Sequence, residues 1–283
     1  MPLWGMDKPL DPGLYVVATP IGNMGDFSPR AADTLRKASL ILAEDTRVTG
    51  KLLAHAGAKA RTRRYDDHSS DRDRAEIVSR LGSEAIALVS DAGTPLISDP
   101  GYKLVRAARE AGHEVRTVPG PCAAIAGLTI GGLPTDRFLF LGFLPAKAKA
   151  REDAIAEIAA VRATLVLYES GSRLGDTLEA LAAQLGPRDA AVARELTKLH
   201  EECVTGTLDE LAGRYANAAP KGEIVVVVGP PLEREAVADD ELDRMLGQAM
   251  AEMSPSRAAA EVAQRLGIPR KRAYARALEL SQK

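Results

Sequence analysis

Three polar side chains in the second half of the chain could accept a proton during catalysis. Glu169 directly follows the apolar run 164–168. Glu195 and Lys198 follow another apolar run at 190–194. A carboxylate or an unprotonated lysine can act as a general base toward a weakly acidic hydroxyl. Each of the three could instead belong to a structural ion pair, so the residue types indicate proton-transfer chemistry and leave the acceptor open.

Three loops rich in glycine and proline follow apolar runs in the first half of the chain, at residues 19–26, 90–101 and 119–124. Open α/β sheets bind ligands at the carboxyl ends of their strands, where such loops lie. The first loop matches neither a Walker loop nor a GxGxxG fingerprint, so neither ATP nor NAD is indicated. The second loop is also longer than the about two to six residues of an ordinary strand-to-helix connection. Its backbone amides and carbonyls could serve a small ligand.

Short apolar runs alternate with amphipathic, alanine-rich stretches, which predicts an α/β fold with parallel sheets covered by helices. The expected strands are 14–19, 40–43, 85–90 and 114–118 in a first series, and 138–143, 164–168, 190–194 and 223–229 in a second. The expected helices include 29–37 with Ser28 as its N-cap, 102–111, 148–161 and 177–185. A Gly-Gly-Leu-Pro break near residue 133 separates the series, which predicts two α/β domains, 12–132 and 133–230.

Residues 231–283 contain no strand candidate and are predicted to form a helical extension. Ser254 and Pro255 begin one helix, Gly267 and the next two residues interrupt it, and 270–280 form another, a layout typical of a helix-turn-helix. Residues 254–283 carry seven lysines or arginines against two glutamates, a net charge of +5. A solvated helix face is the ordinary explanation of such charge, and binding of nucleic-acid phosphates is the alternative.

Composition places the chain among ordinary globular proteins, with 46% hydrophobic and 27% charged residues. Cys122 and Cys203 lie in unrelated contexts, so neither a disulfide framework nor a zinc site is indicated, and Cys122 is interpreted as a small packing residue. The four histidines are too scattered to predict a metal site. Residues 1–12 lack the apolar core of a signal peptide, and no apolar run could span a bilayer. We therefore expect a cytoplasmic protein without a metal.

Seven segments resemble, in chain order, the ribosomal RNA small subunit methyltransferase I family of the tetrapyrrole methylase superfamily. They are TPIGN at 19–23, LAEDTR at 42–47, SDAGTP at 90–95 with SDPG at 98–101, PGP at 119–121, FLP at 143–145, YES at 168–170, and ELTK at 195–198 with HEE at 200–202. The resemblance covers residues 14–229, and the seven segments in order are specific. It implies two α/β domains of the tetrapyrrole methylase type, a cleft between them for S-adenosylmethionine (SAM), a homodimer and a basic C-terminal extension that binds RNA.

The resemblance further implies methylation of the ribose 2′-hydroxyl of a cytidine in the decoding region of 16S ribosomal RNA, within a small ribosomal subunit. Because the sulfonium of SAM already activates the methyl group, the enzyme must mainly align the ribose oxygen and help to remove one proton. The candidates for that proton are Glu169, Glu195 and Lys198. By position, the expected SAM contacts are Pro20, Ser90, Asp91, Ala92, Thr94, Leu96, Cys122, Ala123, Tyr168, Leu196 and Thr197. The expected RNA contacts are Arg61, Arg63, Arg64, Arg270, Lys271, Arg272 and Arg276.

The chain departs from the family pattern at two places. Cys122 stands where a serine is usual, and residues 171–173 read Gly-Ser-Arg where Pro-His-Arg is expected, so no role is assigned to a histidine there. Two alternatives stay open: a methyltransferase for a porphyrinoid substrate, and a noncatalytic RNA-binding factor in ribosome assembly. The aromatic content of 4% argues against wide stacking platforms for single-stranded bases.

Overall fold

The computed structural model describes residues 8–231, 239–266 and 268–281 of the chain. The chain divides into two compact units, Met1–Pro231 and Leu232–Lys283. The first unit contains two five-stranded sheets. The expectation about a signal peptide concerns residues 1–12, of which the first seven lie outside the described part.

The first sheet is wholly parallel, as expected, with strand order β3-β2-β4-β1-β5. Its strands are β1 (Gly13–Val17), β2 (Leu40–Ala43), β3 (Arg61–Arg64), β4 (Ala85–Val89) and β5 (Val115–Val118). The helices between them are α1 (Pro29–Lys37), α2 (Thr46–Ala56), α3 (Asp71–Arg80) and α4 (Tyr102–Glu110), and Met24–Asp26 form one turn of 3-10 helix. Because β4, β1 and β5 are neighbours, the three Gly/Pro-rich loops that follow them lie side by side at one edge of the sheet.

Pleating sends alternate side chains of these strands to opposite faces, and each face has its own apolar core. Tyr15 and Val17 of β1 pack with Leu35 of α1 on one face, whereas Leu14 packs with Leu104 of α4 on the other. Helix α1 begins as the sequence predicts, because the hydroxyl of Ser28 accepts a hydrogen bond from the amide of Ala31.

The second sheet has the order β6-β7-β10-β8-β9 and is mixed. Its strands are β6 (Phe138–Phe143), β7 (Thr164–Ser170), β8 (Asp189–Arg194), β9 (Glu202–Thr207) and β10 (Glu223–Val228). The accompanying helices are α5 (Ala123–Ile130), α6 (Ala148–Ile158), α7 (Leu174–Leu185) and α8 (Leu208–Tyr215). Only β6 and β7 pair in parallel, while β10 runs antiparallel to both of its neighbours. The expectation of a parallel second sheet is therefore wrong, since strand–helix alternation does not reveal that β10 enters between β7 and β8 from the opposite end.

Helix α5 precedes the expected domain break at residue 133, yet it covers one face of the second sheet. Its Ala124 and Leu128 pack with Val166 of β7 and Val225 of β10. Gly127 permits this close approach, because a Cβ there would lie 2.7 Å from Val225 Cγ1. The second sheet is therefore completed by a helix that follows the last strand of the first sheet.

Strands β3 and β9 were not predicted from the sequence, and both are edge strands. The residues of β3 are mostly exposed and basic, and those of β9 are mostly half-buried. Neither strand shows the continuous apolar run by which buried strands are recognised.

The second unit contains three described helices, α9 (Asp239–Met250), α10 (Pro255–Leu266) and α11 (Arg270–Ser281). Leu242 and Leu246 of α9 pack against Val262 of α10 and Ala273 of α11. The expected interruption between α10 and α11 falls partly on Gly267, which lies outside the described residues. Among the described helices of the whole chain, none combines the length and hydropathy that crossing a membrane requires.

Candidate active site

Reciprocal hydrogen bonds hold the first two Gly/Pro-rich loops together. The amide of Thr19 donates to the carbonyl of Gly93 at 2.8 Å, and the amide of Gly93 donates back at 3.1 Å. The hydroxyl of Thr94 then donates to the carbonyl of Pro121 at 2.9 Å, which joins the second loop to the third. All three loops therefore form one connected rim.

Tyr168, in β7 of the second sheet, connects this rim to the other half of the unit. Its hydroxyl accepts a 3.1 Å hydrogen bond from the amide of Ala124, in the first turn of α5. The ring packs edge-on against Phe140 and Phe143, at centroid distances of 5.0 and 5.6 Å. Burial raises the pKa of the Tyr168 hydroxyl, so this group stays protonated.

Lys198 makes a second connection between the two halves. Its aliphatic stem lies so close to Gly22 that a Cβ at this glycine would be 2.5 Å from Lys198 Cγ. Its ammonium group donates to Glu195 at 2.9 Å and to Glu223 at 3.1 Å. Lys198 thus clamps the first loop against the ends of β8 and β10.

A cavity of about 450 Å³ opens where the carboxyl edge of the first sheet meets the second sheet. We call it the strand-end pocket. Its size lies within the range of about 300–1,000 Å³ typical of small-molecule sites. It is lined by Ile21, Glu44, Asp91, Ala92, Gly93, Thr94, Ile97, Ser98, Asp99, Ala123, Phe143, Tyr168, Glu169, Ser170, Leu196, Gly222, Glu223, Ile224 and Val225.

The structure brings together many of the expected site residues. Asp91, Ala92, Thr94, Ala123, Tyr168, Leu196 and Glu169 line the strand-end pocket. The other expected residues are not part of the wall but lie within two sequence positions of a lining residue: Pro20, Ser90, Leu96, Cys122, Thr197, Glu195 and Lys198. Ser90 is buried, and its hydroxyl donates to backbone carbonyls of its own loop at 3.3–3.4 Å, which gives it a shaping role.

Residues 222–225, which β10 and the residue before it contribute to the pocket wall, were not predicted as site residues. Residues 222–225 reach the pocket because of strand direction: β10 is antiparallel to β7 and β8, so it begins at the edge of the sheet where they end. Register pairs Glu223 with Ser170, and Ile224 with Arg194. Apart from Ile97, the other missed residues, among them Glu44, Asp99 and Phe143, lie within the seven segments, and no signal in the sequence indicated the orientation of their side chains.

Non-glycine residues with left-handed backbone occur in two loops at this site. In the described part of the chain they are Leu96, Ser98, Glu195 and Thr197, with φ between 52° and 75°. Such conformations are costly outside glycine and tend to occur at functional sites. Leu96 and Ser98 belong to the second loop, and Glu195 and Thr197 to the segment after β8.

The ion pair of Lys198 and Glu195 bears directly on the expected proton acceptors. Burial lowers the pKa of Lys198, but its hydrogen bonds to Glu195 and Glu223 outweigh this and the pKa is raised. The hydrogen bond from Lys198 lowers the pKa of Glu195. Lys198 is therefore held as a cation and Glu195 as a weakly basic carboxylate. Both properties disfavour the expected role in proton removal.

Glu169 lines the pocket, and both oxygens of its carboxylate are held by neighbouring residues. One oxygen accepts from the Ser170 amide at 2.8 Å, and the other accepts from the Thr177 hydroxyl at 2.7 Å. Arg173 forms an ion pair with it at 3.4 Å and donates to the carbonyl of Leu144 at 2.6 Å. Glu169 therefore fixes the end of β7 to the start of α7.

Three further carboxyl groups, of Glu44, Asp91 and Asp99, lie on the first-sheet side of the pocket. The Asp91 carboxylate accepts a 3.1 Å hydrogen bond from the amide of Asp45, which joins the second loop to the end of β2. Burial, followed by the charge of Asp91, raises the pKa of Glu44. Burial also raises the pKa of Asp99; a hydrogen bond with Ser90 opposes the rise and the charges of Glu44 and Asp91 reinforce it, which leaves a pKa of about 6.

The pocket fits the expected cofactor, SAM, in its chemistry. The lining includes the apolar residues Ile21, Leu196 and Val225, and its carboxyl groups suit a ligand that carries positive charge. Thr197 Oγ1, beside the wall, is buried and has no hydrogen-bond partner in the described structure. An unsatisfied buried hydroxyl is costly unless a ligand or water completes it. Among the described residues, no cluster of side chains could hold a metal ion.

The expected RNA contacts of the first unit lie on edge strand β3. Arg61 is exposed, whereas Arg63 pairs with Asp73 at 2.6 Å and with Glu76 at 2.8 Å. Arg64 is mostly exposed and pairs with Asp66 at 2.9 Å. Arg63 is thus the residue of the three that is most engaged by its own protein.

In the second unit, too, some of the expected RNA contacts are paired with carboxylates and others are exposed. Arg276 of α11 binds both carboxylate oxygens of Asp243, at 2.6 and 2.7 Å, and also pairs with Glu279. Arg272 pairs with Asp239 at 3.0 Å. Arg276 therefore ties α11 to α9, and its expected contact with RNA stays a prediction. Arg270 and Lys271 are exposed.

Family profiles match almost the whole chain. The profile of the tetrapyrrole (corrin/porphyrin) methylases matches residues 13–212, and that of the RsmI C-terminal HTH domain matches residues 236–281. The ribosomal RNA small subunit methyltransferase I of Erythrobacter litoralis is 55% identical over 96% of this chain and 97% of its own length. The enzyme of the same name from Escherichia coli O157:H7 is 46% identical over 94% of both chains.

Solved structures share the fold at lower identity. Uroporphyrin-III-C-methyltransferase from Thermus thermophilus has a TM-score of 0.54 and 22% identity, covering 76% of this chain and 93% of its own. Diphthine synthase has a TM-score of 0.59 and 15% identity, covering 76% and 89%. These likenesses concern the two-sheet architecture.

Proposed function

The chain belongs to the tetrapyrrole methylase family and, within it, to the ribosomal RNA small subunit methyltransferase I enzymes, and from this we propose how its pocket acts on RNA. It is a SAM-dependent methyltransferase of small-subunit ribosomal RNA. The reaction is methylation of a ribose 2′-hydroxyl of 16S ribosomal RNA, and we place the target at a cytidine of the decoding region. The observation that carries this proposal is the strand-end pocket, to whose wall six of the family's seven segments contribute.

The residues that we propose to hold SAM are those expected by position, with Ala123, Tyr168 and Leu196 in the pocket wall and Thr197 beside it. When bound, SAM supplies a methyl group already activated by its sulfonium. The chain's own contribution is to hold the two reacting atoms in line and to exclude water. Lys198 and Glu195 act as positioning residues for the first loop, and Glu169 positions the end of β7.

On the substrate side, Phe143 is the feature that suits a nucleotide. It lines the strand-end pocket and its side chain is 56% exposed. A register shift between Phe140 and Phe143 interrupts the pairing of β6 with β7, and Gly142 in it has a φ of 61°. Such bulges redirect side chains near active sites. Phe143 would present a ring face on which the target base stacks, as aromatic residues do in RNA-binding proteins.

Cationic residues would hold phosphates of the bound RNA. We assign this role to exposed Arg61 on β3 and to Arg270 and Lys271 on α11. Arg63, Arg64, Arg272 and Arg276 would contribute charge more than direct contacts, since each is paired with a carboxylate.

We also propose a homodimer in the cytoplasm. Helix α5 is apolar on every side, and a helix of this kind is ordinarily buried. Ile125 and Ile130 are nevertheless 44% and 43% exposed. A second copy of the chain packed against this face would cover both side chains.

The test uses purified protein, SAM with a labelled methyl group, and small ribosomal subunits from cells that lack this activity. Mass spectrometry of the RNA is expected to find one additional methyl group on the ribose of a cytidine. Transfer to a uroporphyrinogen-type compound and not to RNA would favour the porphyrinoid alternative. RNA binding with no methyl transfer would favour a noncatalytic assembly factor.

A further inference from the structure

We propose that Asp99 is the group that takes the proton from the ribose 2′-hydroxyl. This inference rests on the proposed 2′-O-methylation and names its missing proton acceptor. It was not among the residues expected to do this from sequence, which were Glu169, Glu195 and Lys198.

The position of Asp99 is fixed by the loop that carries it. Ser98, directly before it, has a φ of 63°, and Pro100 follows it. Gly101 packs so closely that a Cβ there would lie 2.7 Å from Leu88 Cδ2 of β4. The side chain of Ser90 hydrogen-bonds with the Asp99 carboxyl group. Asp99 is thus a pocket-lining carboxyl group on a rigid segment, as a general base requires.

Three other carboxyl groups of the strand-end pocket, those of Glu169, Glu223 and Asp91, are already engaged by other parts of the chain. Glu169 accepts hydrogen bonds from Ser170 and Thr177 and forms an ion pair with Arg173. Glu223 pairs with Lys198. Asp91 accepts from the backbone of the segment after β2.

Two titratable groups of the pocket remain besides Asp99. Tyr168 is a protonated phenol, and Glu44 lies at the end of β2. Asp99 interacts electrostatically with Tyr168, whose hydroxyl bonds to the first turn of α5. Asp99 is thus a pocket carboxyl group whose charge reaches the phenol that contacts the rim expected to hold SAM.

The surroundings of Asp99 make it a stronger base than an ordinary aspartate. The groups that face it are the carboxyls of Glu44 and Asp91 and the phenol of Tyr168. The positive charge of Arg64, a residue of β3, acts on Glu44 and opposes the rise in the pKa of that carboxyl group. With a pKa of about 6, Asp99 is mostly ionised at neutral pH and can still accept a proton.

The step balances without a further reactant. The ribose oxygen forms a bond to the methyl carbon, and the bond from that carbon to sulfur breaks. Its electron pair stays on sulfur, which changes from a sulfonium to a thioether. The hydroxyl proton moves to the Asp99 carboxylate and then to water.

The test compares wild type with Asp99→Asn in single-turnover methylation of small subunits between pH 5 and pH 9. The wild-type rate is expected to rise about tenfold per pH unit below pH about 6 and to level off above it. Asp99→Asn is expected to lower the rate by about 100-fold or more, as loss of a general base typically does, and to abolish this rise. Asp99→Glu should recover part of the rate. SAM affinity by calorimetry and RNA affinity should each stay within about twofold of wild type.

A readout apart from activity is the pH dependence of thermal unfolding. The pKa of Asp99 is raised above its ordinary value of about 3.9, so the native state binds the proton more tightly than the unfolded state between about pH 4 and pH 6. Ionised Asp99 therefore costs stability as pH rises through this window. The Tm of Asp99→Asn relative to wild type should increase from pH 4 to pH 6 and then stay constant. Asp136→Asn, at an exposed loop position, is the matched control and should show no such trend.

Three outcomes would overturn the proposal. The first is an unchanged methylation rate in Asp99→Asn. The second is a loss of SAM affinity in Asp99→Asn that parallels its loss of rate. The third is a rise of the rate with pH that persists in Asp99→Asn but disappears in Glu44→Gln. Failure of the wild-type protein to methylate a ribose would instead contradict the proposed function, so the two failures are distinguishable.

Discussion

The stem of Lys198 occupies the space that a side chain at Gly22 would need. This contact joins a loop of the first sheet to the segment after β8, and the ammonium group at its far end is held by Glu195 and Glu223. Gly22→Ala would place a methyl group 2.5 Å from Lys198 Cγ. Overpacking of this kind costs about 1–3 kcal/mol. We expect SAM affinity to fall by about tenfold or more, measured by calorimetry.

The matched control for this substitution is Gly57→Ala. Gly57 also has a positive φ, of 66°, but a Cβ there would meet no atom within 4 Å. It caps the end of α2, away from the strand-end pocket. Backbone strain alone should lower the Tm of Gly57→Ala and leave SAM affinity unchanged. Equal losses of SAM affinity in both variants would mean that the clamp by Lys198 does not matter.

A second prediction concerns the volume of the pocket. Ala123 lines it at the start of α5, and Ala123→Leu should fill part of the space that SAM needs. We expect the variant to fold and to lose SAM binding in calorimetry. Ala150→Leu, at an exposed position of α6, adds the same atoms without touching the pocket and should bind SAM normally. Unchanged SAM affinity in folded Ala123→Leu would refute this placement of the cofactor.

A third prediction separates RNA binding from SAM binding at Phe143. Stacking of one base on an aromatic ring is worth about 1–3 kcal/mol, so Phe143→Ala should weaken RNA binding by about 5-fold to 100-fold. Phe143→Tyr should restore most of it. Phe138→Ala removes an exposed ring from the other end of the same strand and is the control. If SAM affinity falls in Phe143→Ala and RNA affinity does not, the ring contacts the cofactor instead of the base.

A fourth prediction concerns the charges of α11. Removing Arg270, Lys271, Arg272 and Arg276 together should flatten the dependence of RNA affinity on salt, because fewer counterions are released. The exposed pair Arg270 and Lys271 should account for most of this change, reducing the log–log slope by between about one and two. SAM affinity should not change. If plots of RNA affinity against salt concentration superimpose for the parent and the quadruple variant, the C-terminal extension does not bind RNA.

The ion pairs of Arg276 predict a different effect for that residue alone. Arg276→Gln breaks its contacts with Asp243 and Glu279, so it should lower the thermal stability of the second unit. Its effect on the salt dependence of RNA binding should be small. A large change in salt dependence at unchanged Tm would show that Arg276 contacts phosphate after all.

Much of the fold could be predicted because buried strands leave a local signal. Strands β2 and β6 have the predicted bounds, 40–43 and 138–143, and α1 begins at the predicted cap. Strand direction leaves no such signal, since it depends on where a connection crosses the sheet. The antiparallel course of β10 was therefore missed, and with it the contribution of residues 222–225 to the pocket.

The site was predictable in its loops and less so in its chemistry. Tyr168 and Ala123 lie where the resemblance places them, at the wall of one pocket. The roles of charged residues depended on partners distant in sequence. Lys198 and Glu223 are 25 positions apart, so their ion pair could not be read from a local pattern. Asp99 lies in one of the seven segments recognised in the sequence, but its burial could not be read from the sequence.

The central place of β10 in the second sheet has a consequence for how the protein is made. Strands β7 and β8 leave the ribosome first, and neither has its inner neighbour until residues 223–228 have also emerged. Until then both strands offer open edges to other chains. The wall formed by residues 222–225 is missing for the same period. An incomplete chain that ends before β10 would therefore lack a finished SAM site, so cofactor capture begins only when translation of the first unit is nearly complete.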